Sequence, residues 1–148
     1  MATLPVGAIH HIRMAVTDVE RAKDFYTSVL GFEVAVDGPP PPDDENHEVL
    51  SDSLQGGVIL MHQGLFFGLR PVDDARSTSS DRFDPLRVGL DHLSFAVPER
   101  ADLDRAVALL DEQGVEHGPI RELAPLGLAF LAFFDPDGIA LEISAPIA

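Results

Sequence analysis

The chain repeats itself, and that repeat limits its fold more than any other feature. Ile9-His10-His11-Ile12-Arg13-Met14-Ala15-Val16, followed by an amphipathic segment ending Leu30-Gly31, returns as Leu90-Asp91-His92-Leu93-Ser94-Phe95-Ala96-Val97, followed by a segment ending Gln113-Gly114. Each copy alternates apolar and polar residues like a half-buried strand and then changes to helical spacing. Two copies of one module follow, each with a histidine at the same point of its first strand. A pseudo-twofold arrangement of such modules is expected to bring His11 and His92 toward each other, and paired histidines are a common beginning of a metal site.

Strand parity assigns the first module's residues to faces. Ile12, Met14 and Val16 share one face of strand one, and His11, Arg13 and Ala15 the other, because side chains alternate with period two. The same parity turns His10 away from His11. Thr17 or Asp18 caps the helix, Val19, Ala22, Phe25, Tyr26, Val29 and Leu30 form its buried stripe, and Gly31 closes it in a left-handed conformation. A strand over about Phe32 to Val36 precedes a loop, Gly38-Pro39-Pro40-Pro41-Pro42-Asp43-Asp44, which cannot continue a ladder. Residues His47 to Gln55 fit neither period. Val58 to His62 and Leu65 to Arg70 then read as a hairpin around Gln63-Gly64.

Residues Pro71 to Asp84 are polar and aperiodic, the composition of a connector. The second copy predicts a strand over Leu90 to Val97, a helix over about Ala101 to Gln113 with Leu103, Val107, Leu109 and Leu110 inward, and a short strand over Glu116 to Leu123. Leu128 to Phe134 and Ile139 to Ala145 are joined by Asp135-Pro136-Asp137-Gly138, a turn in which proline pre-sets its own backbone angle and glycine accepts a positive one.

Composition excludes several functions. With 148 residues, 45% of them hydrophobic, the chain has enough material for one compact domain. Its longest apolar runs, such as Leu126 to Phe134, fall short of the roughly 20 residues of a membrane span, and the N-terminus lacks the pattern of a signal. A net charge of -15, with 10 scattered basic residues, argues against nucleic acid. No cysteine occurs, so thiolate ligands and a cysteine nucleophile are excluded and a reducing cytoplasm is expected. Any metal must rest on nitrogen and oxygen.

Two βαβββ modules, a histidine opening each, FYTSVLGF in the first and FFDPDGIALEI in the second together resemble the vicinal oxygen chelate superfamily, also called the glyoxalase, bleomycin-resistance and dioxygenase superfamily. The resemblance runs from about Ile9 to Pro146. It implies an α+β fold, two tandem βαβββ modules forming a curved mixed sheet cup with helices outside. The whole chain is then a single domain of residues 1–148, with module one at about 7–72, a connector at about 73–87 and module two at about 88–146.

The resemblance further implies a divalent metal held by His11, His92 and Glu142, with Leu141 and Ile143 facing the helices while Glu142 faces the cup. Aligning Phe67-Gly68-Leu69 with Leu141-Glu142-Ile143 puts Gly68 where members with four ligands carry a side chain. Two histidines and one carboxylate suit Fe(II) or Mn(II), with Zn, Ni or Mg as alternatives. The expected activity is that of a dioxygenase, lyase or isomerase acting on a small substrate with adjacent oxygens, Glu142 doubling as base. The alternative is a metal-free small-molecule or antibiotic-binding protein, for which the acidic, proline-rich loop from Asp37 to Glu45 supplies one wall of a groove.

Parity also places Arg13, Phe66, Arg70 and Ser94 in the cup as substrate-binding residues, which suits an anionic or carbonyl-bearing substrate with an apolar body. Tyr26 belongs to the core, His62 to a polar strand end, and His47 and His117 to the surface. A homodimer in the cytoplasm, with no membrane partner, completes the expectation.

Overall fold

The computed structural model describes residues 3–77 and 80–147 and divides into two compact units, Met1–Thr78 and Ser79–Ala148. The connector expected over about 73–87 includes Thr78 and Ser79, which lie outside the described residues. In chain order the first unit contains β1 (His11–Val16), α1 (Val19–Ser28), β2 (Glu33–Val36), α2 (His47–Leu54), β3 (Val58–His62) and β4 (Leu65–Pro71). The second contains β5 (Leu93–Ala96), α3 (Arg100–Glu112), β6 (Arg121–Leu123), a 3-10 turn at Ala124–Leu126, β7 (Leu128–Phe134) and β8 (Ala140–Pro146).

Each unit holds one four-stranded mixed sheet, in the order β1-β4-β3-β2 and β5-β8-β7-β6. The first strand of each runs parallel to the fourth, and the remaining neighbours are antiparallel. The repeated pattern in the sequence is therefore a repeated topology, and the fold is the two-module α+β arrangement expected.

The alternation in β1 holds: Met14 and Val16 are buried while His11, Arg13 and Ala15 are exposed. Met14, Val16, Leu60, Phe67 and Leu69 pack beneath α1, whose Ala22, Phe25 and Tyr26 are buried. Asp18 accepts a hydrogen bond from the Arg21 backbone N–H at 3.0 Å and caps that helix. Lys23, in the same helix, pairs with Glu20 at 2.6 Å and with Asp37 at 2.9 Å, tying α1 to the end of β2. The second unit repeats this core with Leu103 and Leu110 over Ala129, Leu131, Phe133, Leu141 and Ile143.

Four sequence readings change. Residues 47–54 form a helix, with Gln55 left-handed at φ 51. Its weak apolar pattern is explained by its burying one residue only, Leu54. Leu109 is 39% exposed, because it lies about 240° around α3 from Leu103, whereas Leu110 falls on the buried stripe. The strand expected over Glu116 to Leu123 is reduced to Arg121–Leu123 plus an isolated bridge between His117 and Phe133. Pro119, which has no N–H to give the ladder, stands between them. The strand expected over Leu90 to Val97 forms its ladder only from Leu93 to Ala96.

Candidate functional site

The register of the two sheets shows which residues of the modules correspond. Arg13 pairs with Gly68 across β1 and β4, and Ser94 pairs with Glu142 across β5 and β8. Since Arg13 stands two residues after His11 and Ser94 two after His92, Gly68 occupies the same ladder position in its sheet as Glu142 in the other.

In the second unit the open face of β5 and β8 carries a connected polar set. The side chain of His92 is 43% exposed and that of Glu142 17%, with His92 Nε2 3.8 Å from Glu142 Oε2. Asp91 Oδ1 lies 2.6 Å from His92 Nδ1. A carboxylate there accepts a hydrogen bond from Nδ1–H, so in the neutral ring Nε2, on the Glu142 side, carries the lone pair. On the other side, Ser144 Oγ donates to Glu142 Oε1 at 2.9 Å, and Ser94 Oγ lies 2.6 Å from Ser144 Oγ. An ionised carboxylate only accepts, so the Ser144 proton points to Glu142 and the Ser94 proton to Ser144. Asp91 and Ser144 were not singled out from the sequence; the signal available was their placement beside His92 and two residues after Glu142 on one strand face.

The open face of the first unit is built differently. His11, Arg13, Ile59, Phe66 and Gly68 line a cavity of about 270 Å³, with Ser53 and Leu54 of α2 as a further wall. Phe66 is 41% exposed on this face. Arg13 Nη2 donates to the Leu54 carbonyl at 2.7 Å, and Arg70 Nη1 donates to Gln55 Oε1 at 2.8 Å. His10 also lines the cavity, its Nδ1 3.0 Å from His11 Nδ1. Parity had turned it away, but the ladder begins at His11 and does not constrain the residue before it.

The other histidines serve structure. His62 stacks on buried Phe32 with ring centroids 4.6 Å apart, on the helix side of β3. His47 Nδ1 donates to the Pro40 carbonyl at 2.6 Å, fastening the proline-rich loop to the start of α2. His117 donates to Gly118 O at 2.7 Å and reaches Asp111 at 3.1 Å. Those two acceptors, the carbonyl first, raise its pKa above the ordinary histidine value. Both were expected at the surface; both are half-buried and bonded.

Among the described residues, no three His, Asp or Glu side chains converge on one point as a metal cluster. The donors that do approach each other fit a divalent ion: two bonds of about 2.1 Å to a shared ion span separations up to about 4.2 Å, and the His92 to Glu142 distance falls inside that limit. His11, at the equivalent position of the first sheet, carries a second imidazole.

The sequence pattern of the Glyoxalase/Bleomycin resistance protein/Dioxygenase superfamily matches residues 8–143. The chain belongs to that superfamily. Within it, the chain is 36% identical to YwkD of Bacillus subtilis (strain 168) over 136 residues, covering 92% of this chain and 94% of that one. YaeR of Escherichia coli (strain K12) is 32% identical over 144 residues, 95% of this chain and 97% of that one. Among solved structures, a glyoxylase/bleomycin resistance protein/dioxygenase domain from Frankia sp. EAN1pec matches with a TM-score of 0.72 and 29% identity, over 95% of this chain and 93% of that one. Superfamily membership accounts for the paired modules and the open sheet faces; reaction chemistry depends on the residues placed there. No helix among the described residues is long and apolar enough to cross a membrane.

Proposed function

We propose that this superfamily member is a metal-dependent enzyme acting on a small substrate with two adjacent oxygens. The observation that carries the reading is the approach of His92 Nε2 to Glu142 Oε2 at 3.8 Å on an open sheet face, with Asp91 orienting the imidazole. His11, His92 and Glu142 would hold the ion, Fe(II) or Mn(II) by the hardness of this donor set. When bound, such an ion supplies Lewis-acid stabilisation of negative charge on substrate oxygens.

The chain's own residues do the rest. Ser144 holds one oxygen of Glu142 and leaves the other toward His92, so the carboxylate is kept in one orientation where it can also take a proton from the substrate. The cavity beside His11 excludes water from an apolar substrate body. Phe66 and Arg13 line it, and Arg70 and Ser94 would complete the substrate-binding set. The protein is read as a cytoplasmic homodimer in this role.

A second reading, a metal-free small-molecule binder, draws on Gly68, which leaves the first sheet without a counterpart to Glu142. Elemental analysis of untagged protein, with His11→Ala, His92→Ala and Glu142→Ala alongside, separates the two. Stoichiometric iron or manganese in the wild type and its loss in all three variants is the expected result. A wild type that stays empty after anaerobic Fe(II) and Mn(II) titration sinks the enzyme reading and leaves the binder.

A further inference from the structure

The first unit's cavity is unusual for so acidic a protein. The chain has 25 acidic and 10 basic residues, yet no Asp or Glu lines this cavity and an arginine does. Arg13 is held by the Leu54 carbonyl, and Arg70, on the same sheet face, by the Gln55 side-chain amide oxygen. Both acceptors are neutral, so the hydrogen bonds fix the guanidinium groups in place without cancelling their charge. A guanidinium has five N–H donors, and the bond to Leu54 uses one. Gly68 is part of the same construction. A β-carbon there would stand 2.9 Å from Arg13 Cγ, so glycine is what lets the arginine stem lie flat on the sheet beside the cavity.

We propose that Arg13, with Arg70 beside it, is a carboxylate seat, and that the adjacent cavity takes the apolar body of the same ligand. The planar fork of an arginine matches a carboxylate in two parallel hydrogen bonds. A monoanion is favoured over a phosphate dianion, because the guanidinium groups sit at the carbonyl end of α2, where the helix dipole is negative, in a protein of net charge -15. The volume of about 270 Å³ exceeds the roughly 150 Å³ apolar cavity that admits benzene, so a ring-sized body fits. As a substrate class, a small aryl or branched-alkyl carboxylate, this deepens the enzyme reading through His11, which lines the same cavity; the binding itself requires no metal.

The simplest probe is benzoate against benzamide, which share a ring and differ in charge, titrated by NMR into wild type, Arg13→Gln, Arg13→Lys and Arg70→Gln. Benzoate is expected to bind the wild type and benzamide to bind it at least about ten-fold more weakly, while Arg13→Gln loses that preference and Arg13→Lys keeps part of it. Equal affinity for the two probes in the wild type, no benzoate binding at tens of millimolar, or an unchanged preference in Arg13→Gln would overturn the assignment. So would tighter binding of phenylphosphonate than of benzoate. Arg70→Gln, expected to give a smaller loss, keeps the test open if Arg13→Gln does not fold. Metal content measured on the same samples keeps the two readings apart: an empty wild type that still prefers benzoate overturns the metal enzyme and leaves the seat standing.

Discussion

Arg13 lies across Gly68. The β-carbon that any other residue would place at position 68 falls 2.9 Å from Arg13 Cγ and 3.5 Å from both Cβ and Cδ, so one residue's side chain occupies its neighbour's space. The matching pair in the other sheet, Ser94 and Glu142, divides the space the opposite way, with the small residue on the first strand and the long one on the fourth.

That exchange predicts strong coupling. Gly68→Ala is expected to destabilise the protein by about 1–3 kcal/mol, since the stem of Arg13 must shift. Added to Arg13→Ala the same change is expected to cost much less, because the obstruction is gone. Urea unfolding of the two single variants and the double variant measures this; strict additivity would contradict the contact.

Asp91 is expected to act through His92. Replacing its carboxylate with Asp91→Asn leaves the imidazole less firmly oriented, and is expected to weaken metal binding about 10–100-fold. Competition against a chromophoric chelator reads this directly. Unchanged affinity in a wild type that does bind metal would show that the contact at 2.6 Å has no such role.

Neighbouring leucines on α3 provide a test of the packing. Leu110 is 1% exposed and Leu109 39%. Leu110→Ala is expected to cost about 2–5 kcal/mol through lost burial and a residual cavity, and Leu109→Ala less than about 1 kcal/mol. Similar midpoints in denaturant for both variants would mean that the helix is rotated from the orientation described.

His117 links stability to pH. Its pKa is raised in the folded state from an ordinary 6.5, chiefly by the Gly118 carbonyl and then by Asp111, both of which favour the charged ring. A raised folded pKa stabilises the protein fully below the unfolded value and loses that contribution as pH climbs through the folded one. His117→Gln is therefore expected to be less stable than the wild type at about pH 5.5, with the gap closing toward about pH 8.5. Parallel stability curves for the two proteins across that range would rule out the linkage.

The sequence by itself determined the modules, because strand alternation, helical stripes and turn residues are local and each occurs twice. It placed His11 on a face with Arg13, and Glu142 opposite Leu141 and Ile143, since period two leaves a strand no other choice. It misjudged what lies just outside the ladders. His10 precedes the first pairing, α2 carries one buried residue and no strong pattern, and Pro119 cuts a strand short. Tertiary structure alone decided that neutral oxygens at the end of α2 hold Arg13 and Arg70, and that Asp91 and Ser144 flank the His92 and Glu142 pair. Those arrangements join residues up to 50 positions apart, and their energies depend on distances and charges that no periodicity records.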